Sequence, residues 1–250
     1  MPRALVTGAT SGLGAEFARQ LAGRGHDLVL VARDVTRLRA RAAELAAVDV
    51  EILPADLATD IGCTKTAERL ERPDIDVLVN NAGLGTYVPF GAGDLAVEER
   101  QLDLNVRAVL RLSHAAVRSM TGRGSGLIIN VSSVAGFVPR ASNATYSASK
   151  AWVTQFSEGL ALQLADTDVS VTAVCPGFVR TEFHQRAQAD MSHVPDRMWL
   201  SAEDVVREGL ADAFAGRTIS VPSRRYHAMV LAARVLPRPW LRAVMKARGL

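Results

Sequence analysis

Residues 3–14 read Arg3-Ala4-Leu5-Val6-Thr7-Gly8-Ala9-Thr10-Ser11-Gly12-Leu13-Gly14, a short apolar run ending in a turn with three glycines. Residues 16–24 then have helix composition. A strand, a glycine-rich turn and a helix in that order open a β-α-β unit. Glycines here permit a tight turn and let the backbone approach a pyrophosphate, which would sit at the positive end of the helix. The string alone is weak evidence, because a plain strand-to-helix turn reads the same way. Its place after the first strand of β-α-β text is what points to a dinucleotide.

Working outward, the same alternation runs along the chain. Residues 4–6, 28–31, 50–53, 77–79, 127–131 and 169–174 are apolar runs without polar alternation, as expected of parallel strands buried on both faces. Residues 16–24, 35–46, 64–72, 96–120 and 146–165 have helix composition. Regular β-α order predicts an α/β fold: a doubly wound parallel sheet with helices on both faces, a Rossmann-like three-layer sandwich. No linker splits the 250 residues, so 1–250 is expected to form a single domain. The regularity fails over 178–200, where a mobile substrate loop is expected, and over 223–250, a basic tail whose helical text is interrupted by Pro237 and Pro239. Between them Ser201-x-x-Asp204 reads as a helix start.

Composition narrows the function classes. With 48% hydrophobic and 22% charged residues and a mean hydropathy of +0.11, the chain is neither disordered nor collagen-like. Its longest apolar run near the C-terminus, 228–233, is far short of the ~18 residues a membrane span needs. No secretory leader is expected, since strand text begins at residue 3, and two cysteines, Cys63 and Cys175, suit free thiols in the cytoplasm. The net charge of +3 divides unevenly: the last 38 residues carry +8 and no acid, the rest −5. Positive charge confined to a tail without a binding motif does not support nucleic-acid recognition. His184 and His193 lack metal-ligand spacing and read as solvated loop histidines, so no metal site is expected.

The end of the second strand should select the cofactor. An acidic residue there would bind both ribose hydroxyls, whereas Ala32 is followed by Arg33. A guanidinium beside the ribose suits a 2′-phosphate, and Arg37 one turn later would assist, so NADPH is expected over NADH. The alternative is that Arg33 pairs with Asp34 on the surface.

Tyr146-x-x-x-Lys150 places a phenol and an ammonium on one helix face. A phenol titrates near pH 10 and exchanges protons poorly at neutrality unless a nearby cation stabilises its anion. Lys150 is one of only three lysines beside 26 arginines. Such pairs are common by accident, but upstream Ser133 closes the strand text at the end where ligands bind, and its hydroxyl suits a developing alkoxide. Asn80-Asn81-Ala82-Gly83 closes another strand, and Asn105 interrupts a helical segment as a mediocre helix former.

In this order and spacing the Thr7–Gly14 turn, Asn80–Gly83, Asn105, Ser133, Tyr146, Lys150 and Pro176-Gly177 resemble the short-chain dehydrogenase/reductase family over residues 3–221. The resemblance implies seven parallel strands and NAD(P)-dependent interconversion of a carbonyl and an alcohol. It implies Tyr146 as acid/base, Ser133 orienting the substrate oxygen, Lys150 on the nicotinamide ribose and Asn105 holding a relay water. Cofactor contacts would come from Gly8, Thr10, Ser11, Gly12, Leu13, Gly14, Arg33, Asp56, Leu57, Asn80, Ala82, Gly83, Tyr146, Lys150, Pro176, Gly177, Val179 and Thr181. Many NADP-preferring members carry a basic residue in the glycine turn where this chain has Ser11, which leaves Arg33 as the main phosphate ligand.

The resemblance also implies a homodimer or homotetramer. Tyr87, Val88, Phe90, Phe137, Val138, Phe178, Phe183, Met191 and Trp199 would form an apolar pocket for a hydrophobic small-molecule carbonyl or alcohol, or would simply pack in the core. The basic tail would cap the cleft or, alternatively, lie on an anionic membrane or face an acidic carrier or thioester substrate. A non-catalytic dinucleotide sensor is the rival reading, against which the full Ser133/Tyr146/Lys150/Asn105 set argues.

Overall fold

A computed structural model describes residues 1–140, 143–187, 189–192 and 194–247, the last four as backbone. Strands β1 (Arg3–Thr7), β2 (Asp27–Ala32), β3 (Val50–Pro54), β4 (Val77–Asn80), β5 (Gly126–Val131) and β6 (Val169–Val174) coincide with the six apolar runs. The connecting helices are α1 (Gly12–Ala22), α2 (Val35–Glu44), α3 (Asp60–Leu70), α4 (Leu95–Leu102), α5 (Ala108–Arg123) and α6 (Ala144–Gln163). Short strands β7 (Phe178–Val179) and β8 (Trp199–Leu200) bracket the short helix α7 (Phe183–Arg186). Helix α8 (Ala202–Phe214), strand β9 (Ile219–Ser220) and helices α9 (Arg224–Val235) and α10 (Arg238–Ala247) follow.

The main sheet has seven parallel strands in the order β3-β2-β1-β4-β5-β6-β9. Period-two geometry sorts each strand's apolar side chains between two helical layers. Ala4, Val6, Leu28 and Leu30 meet Phe17 and Leu21 of α1 and Val206 and Leu210 of α8. Leu5, Val29 and Val31 meet the opposite layer, with Cys63 and Leu70 of α3 and Leu112 and Met120 of α5. That is why the strands read as unbroken apolar runs. Full burial of each large aliphatic side chain is worth roughly 1.5–3 kcal/mol.

Helix starts follow capping chemistry. Asp34 accepts from the Arg37 amide at 3.0 Å, Thr59 from Gly62 at 3.1 Å, and Ser201 from Asp204 at 3.0 Å. The long segment read as one helix is divided: α4 passes through a π-helical turn, Asp103–Arg107, into α5. Asn105 lies in that turn, which is the reason an asparagine stands there.

Two expectations change. The 178–200 segment is not without structure, since β7 pairs with β8 around α7. The seventh strand, which no apolar run announced, is the two-residue β9. The tail is helical as expected and breaks at Leu236–Pro237 between α9 and α10. It is tied down by Tyr226, whose buried hydroxyl donates to the Met198 carbonyl at 2.7 Å and accepts from the Phe178 amide at 3.1 Å. Removing that hydroxyl by Tyr226→Phe should cost about 1–2 kcal/mol in urea denaturation, because two backbone groups of the 178–200 segment lose their partner.

Candidate active site

Parallel sheets bind ligands at the carboxyl ends of their strands where the order reverses. Here that point lies between β1 and β4, and a cleft of about 1110 Å³ opens there. Thr7 sets its floor: the Thr7 hydroxyl donates to the Val79 carbonyl at 3.2 Å and accepts from the amides of Asn81 and Ala82 at 2.9 and 3.0 Å. The Asn81 side chain donates to the Thr7 carbonyl at 2.9 Å. Gly8 has φ +67°, and a Cβ on Gly14 would lie 2.3 Å from the Gly8 carbonyl oxygen. No side chain caps α1, so its first amides face the cleft through Ser11, Gly12 and Leu13. Open amides and a turn with no room for side chains fit a pyrophosphate.

Further along the cleft, Arg33 lines the wall and forms no ion pair among the described residues. Asp34 is occupied in capping α2, so the surface pairing is not made. Arg37 lines the same wall, but its guanidinium engages Glu182 at 2.7 and 3.2 Å. The Asp56 carboxylate is held at 2.6 Å by Arg100, a residue the sequence reading missed, and by the Ala58 amide. Both bonds keep it below the usual carboxylate range against an opposing effect of burial. Leu57, Ala82, Gly83, Pro176, Gly177, Val179, Thr181 and Thr10 also line the cleft.

Asn80 does not fit its expected role. Its amide nitrogen points into the interior, to Asn130 at 2.9 Å and Ser113 at 3.1 Å, and Asn130 continues to Ser157 at 2.9 Å. This buried ladder joins β4 and β5 to their helices, and Asn81 is the asparagine that meets the cleft. Gly14 likewise acts by packing beneath the turn and is not part of the cleft wall.

The expected catalytic group converges at the opposite end. Ser133 caps a single 3₁₀ turn, accepting from the Ala135 amide at 3.1 Å and donating to the Pro176 carbonyl at 3.5 Å, and its hydroxyl works to lower the pKa of the Tyr146 phenol. Lys150 is buried, donates to the Val131 carbonyl at 2.8 Å and lies 5.7 Å from the Tyr146 ring centroid. Asn105 clamps residue 84 from both sides, donating to its carbonyl at 2.8 Å and accepting from its amide at 3.0 Å. It holds the Gly83–Leu84 backbone in place, 3.1 Å from where a Gly83 Cβ would project and beside the Lys150 ammonium.

Burial pushes the Tyr146 phenol well above its ordinary range, and the Ser133 hydroxyl and Arg140 pull it part of the way back. Burial also takes Lys150 down from 10.5 to about 8, and Cys175 is pushed up to about 11, an inert thiol.

The apolar pocket holds Tyr87, Val88, Phe137, Val138, Phe178 and Phe183, whereas Phe90 is exposed and neither Met191 nor Trp199 reaches the wall. His184 is not a solvated loop histidine. It packs among Phe178, Phe183 and Trp199 with centroids 5.2–5.9 Å away, and burial lowers its pKa. His193 lies outside the described residues. Arg140 had no signal in the sequence, whereas Met198 of the 178–200 segment and Tyr226 and Val230 of the tail expected to cap the cleft also line it. No metal cluster exists among the described residues, and both cysteines are free and buried.

An open α/β sheet with a dinucleotide-type turn and a Ser–Tyr–Lys group at its switch point defines an oxidoreductase of the Rossmann class. The family model for short chain dehydrogenase matches residues 2–192, and the chain belongs to that family. A very-long-chain 3-oxoacyl-CoA reductase of Mycosarcoma maydis is 32% identical over 248 residues, 95% of this chain and 71% of that protein. A short-chain dehydrogenase from Sphingobium yanoikuyae, solved in complex with NADPH, has a TM-score of 0.86 at 36% identity, covering 94% of each chain. A bulky-bulky ketone specific alcohol dehydrogenase from Comamonas testosteroni has a TM-score of 0.82 at 31% identity, covering 94% of this chain and 92% of its own.

The lowered Lys150 pKa is a stability statement. A lysine depressed from 10.5 to about 8 leaves the unfolded chain binding the extra proton between those values, so stability rises with pH across that window. Below about pH 8 the gain is absent. A thermal-melt series should show the parent Tm climbing from pH 8 upward relative to Lys150→Met, the difference in slope isolating the ammonium.

Proposed function

We propose that this chain is an NADPH-dependent reductase, or the reverse dehydrogenase, interconverting a carbonyl and a secondary alcohol on a largely hydrophobic substrate. The observation that carries the reading is the convergence of Ser133, Tyr146 and Lys150 at one end of a cleft whose other end holds the glycine turn and Arg33. The NADPH complex of the Sphingobium relative and the 3-oxoacyl-CoA and bulky-ketone names of the others support it. Bound in this cleft, the nicotinamide cofactor would supply the hydride.

The protein's own groups would do the rest. The α1 amides and the Gly8–Gly14 turn would hold the pyrophosphate, and Arg33, which forms no ion pair among the described residues, the 2′-phosphate. The Ser133 and Tyr146 hydroxyls would grip the carbonyl oxygen as it gains charge, and Tyr146 would deliver the proton. A phenol whose anion is disfavoured by burial stays protonated until the oxygen demands the proton. Lys150, an ammonium below about pH 8, then offsets the phenolate left behind. Asn105 would act by fixing the backbone at 83–84 beside that ammonium.

A panel of ketones and alcohols followed at the nicotinamide absorbance with both cofactors tests the reading. Tyr146→Phe should lower turnover by roughly 10²–10⁴-fold with NADPH affinity preserved; full activity in that variant refutes the assignment. Arg33→Ala should raise the KM for NADPH roughly tenfold to a hundredfold and leave NADH nearly untouched. An equal loss with both cofactors would remove Arg33 from phosphate recognition.

A further inference from the structure

We infer that Arg140 forms an anion-binding subsite in the substrate half of the cleft, so that the preferred substrate is an apolar carbonyl compound bearing an acidic group such as a carboxylate. The inference rests on the reductase reading for the carbonyl end and adds the chemistry of the other end.

The cations of this cleft are not alike. Arg37 and Arg186 share Glu182, and Arg100 is neutralised by Asp56. Arg197 is exposed to water, and Arg33 stands at the adenosine end. Arg140 is half-buried on the substrate side, with no carboxylate paired to it among the described residues. Its Nε is buried without a hydrogen-bond partner, and its guanidinium carbon lies 5.7 Å from the Phe178 ring centroid. A buried donor left unpaired is costly, and a guanidinium fork matches a carboxylate in a way few other ligands do.

The surroundings specify the rest of the ligand. An aromatic wall leads from the phenol to the cation: Tyr146 to Phe183 at 5.7 Å, Phe183 to His184 at 5.5 Å, His184 to Phe178 at 5.9 Å, and Phe178 to Arg140. The wall suits an apolar body between a carbonyl at Tyr146 and an anion at Arg140. Burial and Arg140 itself keep His184 below the ordinary histidine range, so it offers no second cation. Its Nδ1 is also buried without a partner, a neutral polar group on the same wall. Arg140 pulls down the phenols of both Tyr146 and Tyr87, as a cation inside their shared cavity should. Stacking on Phe178 alone would satisfy the guanidinium face but leave its terminal N–H groups without an acceptor among the described residues.

The test uses ketone pairs that differ only in a carboxylate or a carboxamide: an acetylbenzoate with its acetylbenzamide, and oxo-fatty acids of several lengths with their amides. Binding is measured by calorimetry on the full chain saturated with NADPH, in a Tyr146→Phe background so that no turnover intervenes. At least one acid should bind about tenfold or more tightly than its amide. Adding Arg140→Gln should erase that margin while amide and NADPH affinities stay within about twofold, and Arg140→Lys should keep part of it. Should every pair bind alike, or should the margin survive both substitutions, the subsite is overturned. The reductase reading is judged separately, by nicotinamide-coupled turnover of the parent chain: its absence would refute that reading and leave the calorimetric margin to decide on Arg140.

Discussion

At Gly14 there is no room for a single methyl group. A Cβ there would stand 2.3 Å from the Gly8 carbonyl oxygen and 2.4 Å from the Asn81 amide nitrogen. That three-way contact joins the first strand, the first helix and the end of the fourth strand at the place where the sheet order reverses. Because Asn81 is held by Thr7, and Thr7 by the Val79 carbonyl, the turn cannot shift without dragging two strands with it. The helix N-terminus is aimed into the crevice by packing, and rigid elements are what hold a binding geometry to the tolerance that chemistry needs.

The catalytic end is governed by burial. Dehydration penalises the charged form of every titratable group, so the phenol of Tyr146 rises while the ammonium of Lys150 falls, and the two values move apart. On the proposed reading the phenol would be a proton donor that resists ionising early, beside a cation that is present at neutrality but weakly held. The Val131 carbonyl fixes the lysine, and the strand end fixes Val131. The proposed proton chemistry would accordingly depend on the same strand termini as the proposed nucleotide site.

The substrate side is assembled from the latest parts of the chain. Tyr226 of α9 reaches across to the backbone of Phe178 and Met198, so the C-terminal helix and the 178–200 segment support one another over the cleft. Three of the six arginines that line the cleft, Arg37, Arg100 and Arg186, are paired with acids within the protein. A cation left unpaired beside paired ones has more influence on what binds, since less competes with its field.

Much of this was legible from residue order. Buried parallel strands must read as apolar runs because both of their faces are covered, and six of the seven did. Tyr146 and Lys150 were identifiable by their side chains at a fixed helical spacing, and Ser133 by its place at the carboxyl end of a strand. Asn105 was marked as out of place in a helix, and the π-helical turn explains it. Other features had no local signature. β9 is two residues long and owes its existence to its neighbour β6. Whether Asn80 or Asn81 faced the cleft depended on the twist and register of β4 against β5. The partners of Arg37 and Asp56 lie far away in sequence, Arg140 has no carboxylate partner among the described residues, and His184 looked solvated although Trp199 packs against it. Sequence by itself determined the fold class and marked the candidate reacting groups, because backbone periodicity and side-chain chemistry are local. Only the tertiary structure decided which charges are cancelled and which are left to meet a ligand, because ion pairing and dehydration are set by residues that the chain brings together from afar.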